Sequence, residues 1–269
     1  MVIDFHTHVF PDKIALKTVE YLAKKSGNTP SYDGSVDGLL DKLTNSPVDV
    51  AVSLPVLTKK EQFDSVLNFA IEINKRFENS SKKIISFAGI HPAIDNVEDC
   101  LKRVKDANIL GVKIHPDYQD TFIDDERYIK ILQVAKELDL IVVTHAGVDS
   151  GYRDSTVKCP PERIKKVIEK VGHKKFVLAH MGSSEMVKEF LDLVAGEDVY
   201  IDTAYVLKYL SKEDFNKIVN KHGADKILFA TDSPWSEING DIDIIESFVK
   251  DKEIKDKIYY KNAKELLKL

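Results

Sequence analysis

The fold class that the sequence predicts is α/β, a single (β/α)8 barrel domain spanning residues 1–269. Three observations predict it. Eight short apolar segments recur along the 269 residues, segments of helical period separate them, and no G-x-G-x-x-G turn follows the first, as an open doubly wound sheet would favour. In order, the strand segments are VIDFHTH, VDVAVSLPV, IISFAGIHP, ILGVKIHP, LIVVTHAG, KFVLAHMG, VYIDTAY and KILFATDSP. Most lack strict apolar–polar alternation and read as strands covered on both faces, as parallel strands in α/β proteins are.

The helical segments fall between them. PDKIALKTVEYLAKK follows the first strand, with Pro11 suited to an early helical position. KKEQFDSVLNFAIEINKRF, DNVEDCLKRVKDAN, DDERYIKILQVAKELD, PPERIKKVIEKVG, SSEMVKEFLDLVAG and SKEDFNKIVNKHG follow the next six. Several open on acidic or Ser residues and close on Gly. NAKELLKL forms a last helix, and no low-complexity linker or shift in composition marks a second domain.

Composition narrows the function. The net charge is −5, and lysines and acids interleave along the helices rather than pooling, which argues against nucleic acid or an anionic membrane as the main partner. No apolar run approaches the roughly 18–20 residues of a membrane span, and the chain enters a strand at once, with no basic-then-apolar signal region. Cys100 and Cys159 lie far apart and read as free thiols of a reducing, cytoplasmic setting. The expected partner is a small-molecule substrate; a homo-oligomer is compatible with the same surface.

The eight histidines are not scattered. His6 and His8, His91, His115, His145 and His180 stand at or beside the carboxyl ends of predicted strands, which form the rim where barrel active sites are built. His173 and His222 fall at the opposite face, as exposed loop residues or charges near helix C-termini. His6 and His8 are two apart on a strand and project to one side. With His145 and the Asp232 of FATDSPW they make three imidazoles and a carboxylate, a set suited to Zn²⁺, with Mn²⁺, Fe²⁺ or Ni²⁺ as alternatives. A carboxylate among apolar strands is costly to bury without a cation.

The order of HxH on the first strand, His on the fifth and sixth and Asp on the eighth resembles the amidohydrolase superfamily over the whole chain. LAHMG, PPERI, ILFATDSPW and NAKELL are particularly similar to its branch of metal-dependent hydrolases that includes aminocarboxymuconate-semialdehyde decarboxylase. The resemblance implies that His6, His8, His145 and Asp232 hold one metal ion. It gives His180 one of two roles: hydrogen bonding to the attacking water or substrate, or a second metal with a carboxylated lysine as bridge. Lys113 of GVKIHP shares a face with His115, and a lysine inside a barrel can lose its proton and capture CO₂. It can equally pair with an interior acid such as Asp4. One ion is favoured and two are allowed.

Such a centre lowers the pKa of water from about 16 to about 7. Asp232 would act as general base and acid, and His180 would polarise the substrate. The resulting expectation is a metal-dependent hydrolase cleaving a C–N or C–O bond in a small, carboxylate-bearing amide, lactone or ester. The alternative is a non-oxidative carboxy-lyase of a muconate-type or aromatic acid, with His180 protonating carbon. Many decarboxylases of the branch carry Glu at the first strand-one position, whereas this chain keeps His6, although the muconate-semialdehyde enzyme has both histidines. The third class, a non-catalytic metal-binding protein, has no need of His180 beside a full ligand set.

Loops above the rim supply the rest. Arg153, in the long AGVDSGYRDSTVKCPPER loop beside Tyr152, is expected to meet a substrate carboxylate. His115, His91, Tyr118, Tyr205 and Trp235 are expected to line the pocket or orient ligands. Asn262 is expected to cap the terminal helix.

Overall fold

The structure, a computed structural model, describes residues 1–269. Its strands are β1 (Ile3–Thr7), β2 (Val50–Ser53), β3 (Lys83–Ser86), β4 (Ala88–Gly89), β5 (Gly111–Ile114), β6 (Ile141–Thr144), β7 (Phe176–Leu178), β8 (Tyr200–Asp202) and β9 (Ile227–Leu228). All pair in parallel, in the orders β1-β2-β3 and β4 through β9. β3 and β4 are one barrel strand broken at Phe87, whose N–H still bonds the Ser53 carbonyl at 2.9 Å. The other seam is bridged where Phe5 N–H donates to the Phe229 carbonyl (2.9 Å), Asp232 N–H to His6 (2.8 Å) and His8 N–H to Ser233 (2.7 Å). Eight parallel strands thus ring one axis, as the strand count and helical spacing predict.

Helices α1 (Ala15–Ser26), α2 (Val36–Thr44), α3 (Phe63–Phe77), α4 (Val97–Asp106), α5 (Glu126–Glu137), α6 (Pro161–Val171), α7 (Val187–Leu193), α8 (Lys212–His222), α9 (Ile238–Phe248), α10 (Lys252–Asp256) and α11 (Asn262–Leu267) surround the ring. α6 shows why such segments are helical. Pro161 opens it, Ile164, Val167 and Val171 bury one face, and Gly172 ends it at φ 58°. Pro11 lies in the turn ahead of α1, which begins only at Ala15, so it is not an early helical residue. α2, capped by the Ser35 side chain accepting from Gly38 N–H, and α9 were not apparent in the sequence, where Gly38 and Gly240 weaken the helical pattern. No helix is long and apolar enough to cross a membrane.

Two apolar layers hold the fold. A cluster of 54 buried residues joins outward-facing strand residues such as Val112, Ile114 and Val142 to the helices. A second cluster of 16 fills the ring with Phe5, Val52, Phe87, Val143 and Leu228, and Leu266 and Leu267 of α11 close its amino end. Each fully buried Leu, Ile or Phe contributes roughly 1.5–3 kcal/mol. Above this apolar layer the buried polar side chains His6, His145, His180 and Asp232 gather at the rim.

At the amino end the structure corrects three expectations. His173 and His222 are buried, 5% and 6% exposed, not loop residues in water. His173 Nε2 donates to the Leu140 carbonyl (2.9 Å); His222 Nε2 donates to Val199 (3.1 Å) while its Nδ1 accepts from Gly196 N–H (3.2 Å). Burial pulls both imidazoles down to about 4, so both are neutral. Asn262 does not cap α11. It is buried, and its Nδ2 donates to the Ala224 and Ile227 carbonyls at 2.7 and 2.8 Å, which ties the start of α11 to the start of β9.

Candidate metal centre

The rim is built from strand ends that leave the regular register. The pairing of β1 with β2 shifts between Asp4 and Thr7, so the simple alternation that would set Asp4 beside His6 fails. Asp4 instead accepts from Thr231 N–H (3.0 Å), Thr231 Oγ1 (2.6 Å) and His6 N–H (3.2 Å), and burial raises its carboxyl to about 7. The ion pair of Lys113 with Asp4 is thus absent. His180 and Asp232 both take left-handed backbone, at φ 62° and 64°, where a side chain is strained and is aimed away from the strand line.

Hydrogen bonds assign the tautomers of the first cluster. His6 Nδ1 donates to Asp202 Oδ2 at 2.9 Å, and His8 Nδ1 donates to the Leu54 carbonyl at 2.9 Å. Each ring therefore presents an unprotonated Nε2, that of His6 accepting from Lys113 Nζ at 3.2 Å. The one on His8 lies 2.9 Å from Asp232 Oδ1 and the one on His6 lies 3.4 Å from it. Two lone pairs and a carboxylate converge at this spacing, and donors about 2.0–2.2 Å from one ion stand about this far apart. The donor set fits a divalent cation. Burial holds the His6 imidazole well below its ordinary range, which keeps it in the ligating form.

Lys113 is inside this cluster. It is 1% exposed, and its Nζ is 3.2 Å from His6 Nε2. Burial pulls its ammonium down to about 8, opposed by the Asp202 and Asp232 carboxylates. Asp202, which the sequence reading did not single out, also accepts the backbone N–H groups of His180 (2.9 Å) and Ala204 (3.1 Å). Burial raises its carboxyl above the usual range. Its signal was present: an acid ending the apolar VYID run, as Asp232 ends FATD.

His145 is not brought to His6, His8 and Asp232; the potential ligand atoms of those three group together, and His145 groups with His115 and Asp149. The reason is the ring of His180. Its Nδ1 donates to the Ala204 carbonyl (3.0 Å), so its Nε2 accepts, at 2.9 Å, the proton on His145 Nδ1. His145 Nε2 is then left bare, facing the other way.

The remaining pocket residues divide. Tyr118 meets the His115 ring edge-on at 4.3 Å and Tyr152 at 5.2 Å, and Lys25 of α1 lies 3.4 Å over the Tyr152 ring. Tyr205 donates to Asn28 Oδ1 at 2.9 Å, so the end of α1 roofs the rim. Trp235 is half-buried, its N–H bonded to the Asp232 carbonyl. His91 is half-buried with Nδ1 accepting from Ala93 N–H, and it joins neither cluster. Arg153 is exposed and its guanidinium is taken by both oxygens of Glu185, which leaves it no free face toward the site.

The family model for amidohydrolases (Amidohydro_2) matches residues 3–269, and the chain belongs to that family. No curated protein sequence matches it. Solved structures share the fold. An uncharacterised TIM-barrel protein from Bordetella bronchiseptica is similar at TM-score 0.77 and 15% identity, covering 99% of this chain and 98% of that one. A dihydroxybenzoic acid decarboxylase from a Polaromonas species, solved with manganese and 2-nitroresorcinol, gives TM-score 0.71 and 15% identity over 100% and 97% of the two chains. The 5-carboxyvanillate decarboxylase of Sphingomonas paucimobilis gives 0.69 and 14% over 100% and 99%.

Proposed function

We propose that the protein is a metal-dependent carboxy-lyase that removes CO₂ without oxidation from an aromatic or muconate-type acid. Lys113 carries this reading: a buried ammonium set 3.2 Å from His6 Nε2 supplies both charge and a proton where a substrate carboxylate would meet the metal cluster. The likeness to two decarboxylases over the whole chain supports it and turns the preference away from hydrolysis.

A divalent ion, Zn²⁺ or Mn²⁺, held by His6, His8 and Asp232 would act as a Lewis acid toward a substrate carboxylate and a neighbouring oxygen. Asp202 and the Leu54 carbonyl fix the two imidazoles in the ligating tautomer. The Lys113 ammonium draws the carboxylate out of water and holds a proton at Nζ. When the C–COO bond breaks, the electron pair stays on carbon, that carbon takes the Nζ proton, and CO₂ departs; Lys113 regains its proton from solvent. His180 Nε2 accepts a hydrogen bond rather than offering one, so His180 is a positioning residue that sets the direction of the His145 ring. Tyr118, Tyr152 and Tyr205 exclude water from the mouth. Cys100 and Cys159, both free, support a reducing cytoplasmic setting.

The test is turnover of dihydroxybenzoic acids, 5-carboxyvanillate and muconate-type acids by Mn²⁺- and Zn²⁺-loaded protein, with CO₂ measured directly and the reaction repeated in D₂O. Expected are CO₂ release and one deuterium on the product carbon. Lys113→Met should lower kcat by about 10²–10⁴-fold with metal content unchanged. The retained His6, in place of the Glu of many decarboxylases in this branch, favours hydrolysis as the second reading. Cleavage of lactones or amides without CO₂ would select it.

A further inference from the structure

The cations over the mouth of the barrel divide into spent and unspent. Arg153 is taken by Glu185. Lys208 lies 4.5 Å from the Tyr205 ring centroid, but its Nζ donates to the Trp235 carbonyl at 3.1 Å. Lys25, half-buried in the last turn of α1, forms no ion pair. Its ammonium lies 3.4 Å from the centroid of the Tyr152 ring and 5.2 Å from that of Tyr118. The neighbouring loop acid, Asp149, is turned to His115 Nε2 (3.4 Å) and accepts from Gly151 N–H (2.7 Å).

The backbone holds Lys25 in this place from two sides. Gly27 ends α1 at φ 74°, its N–H returning to the Ala23 carbonyl (2.9 Å). Asn28 then spans the mouth, accepting from Tyr205 Oη at 2.9 Å and donating to Ser150 Oγ at 3.3 Å. The Lys25 stem lies along Gly151, where a Cβ would stand 3.6 Å from both Cδ and Cε. The ammonium is thus one tyrosine ring from the site, since the same Tyr118 meets the His115 ring at 4.3 Å.

A cation in the last turn favours a helix C-terminus wherever its side chain points, and exposed Lys24 already supplies one. That effect does not explain why Lys25 turns onto two aromatic faces. A ring face holds a half-exposed ammonium weakly, whereas a carboxylate takes it in a charge-assisted hydrogen bond. A positioned but unpaired ammonium is available to an incoming anion.

We propose that Lys25 determines specificity by taking a second anionic group of the substrate, so that the acid handled at this rim is dianionic. One carboxylate meets the metal cluster, a point that rests on the carboxy-lyase reading, and the other meets the end of α1. Tyr118 and Tyr152 then offer their faces to the carbon skeleton between the two. The role expected of Arg153 passes to Lys25.

The test is titration calorimetry of Zn²⁺-loaded protein with benzoate and with benzene-1,3-dicarboxylate, which reads binding rather than turnover. The dicarboxylate should bind about 10–100-fold more tightly. Lys25→Met should reduce that ratio to about twofold, the statistical advantage of two equivalent carboxylates, and Lys25→Arg should retain most of it. Lys24→Met, on the exposed side of the same turn, should leave the ratio whole. Near-UV circular dichroism checks that each variant is folded. Equal binding of the two acids by the natural protein overturns the proposal. So does a ratio that survives Lys25→Met, or one that Lys24→Met lowers as much. Failure of the carboxy-lyase reading shows differently, as no CO₂ from any acid while the ratio of affinities stands.

Discussion

The two ends of the barrel both bury histidines, and they do so in opposite ways. At the amino end, His173 and His222 are neutral rings whose hydrogen bonds go to main-chain groups. At the carboxyl end, His6, His8 and His145 spend their protons on Asp202, Leu54 and His180, and turn their unprotonated nitrogens toward Lys113 and Asp232, Asp232, and Asp117 respectively. Burial alone therefore does not mark a functional histidine. What marks it is an unspent lone pair facing another acceptor, because only a cation or a proton makes that arrangement stable.

That contrast can be broken most sharply at Asp232. Asp232→Asn should abolish metal binding at the first cluster and lower kcat by at least about 10³-fold, read by metal analysis and CO₂ release; retained metal and turnover would remove the difference between the two ends. Asp202→Asn acts one step away. It keeps the shape but frees the His6 tautomer, and should weaken metal affinity about 10–100-fold with little change in Tm, as titration against a chelator would measure.

The amino end is sharpened by acid rather than by metal. His173 and His222 have folded pKa values near 4, below the unfolded value of 6.5, so protonation favours the unfolded chain. Their contribution is full above pH 6.5 and is lost as pH falls toward 4. Each should cost about 2 kcal/mol between pH 7 and pH 5. His222→Gln, which keeps a donor for the Val199 carbonyl, should flatten that part of the denaturation profile. An equal slope in the variant would mean that the ring is not the group that titrates. The smallest effect is expected at Arg153. Because Glu185 already holds it at the surface, Arg153→Ala should leave KM within about twofold, since an exposed pair contributes about 1 kcal/mol or less.

How much of this was legible in sequence varies with how local the cause is. The barrel was, because eight apolar runs and the helices between them each declare themselves within about fifteen residues. So was the meeting of His6, His8 and Asp232 at one rim, since their polar side chains stand at the ends of apolar strands. Asp202 carried the same mark and was passed over, because one acid at a strand end looks the same whether it binds substrate, metal or a neighbouring ring. Asp117 and Asp149 lie in loops, where acids are ordinary, and only the bare nitrogen of His145 makes them notable.

By itself, the sequence determined which strand each rim residue ends and that imidazoles and carboxylates would crowd one face of the ring, since chain order and strand period settle both. Which nitrogen of each histidine keeps its proton, that His145 turns from His6 toward Asp117, and that Lys113 faces His6 rather than Asp4 were decided only by the tertiary structure. Those choices depend on hydrogen bonds between residues as far as 227 positions apart, as from Thr231 to Asp4, and on a one-residue slip in β1, neither of which any local pattern encodes.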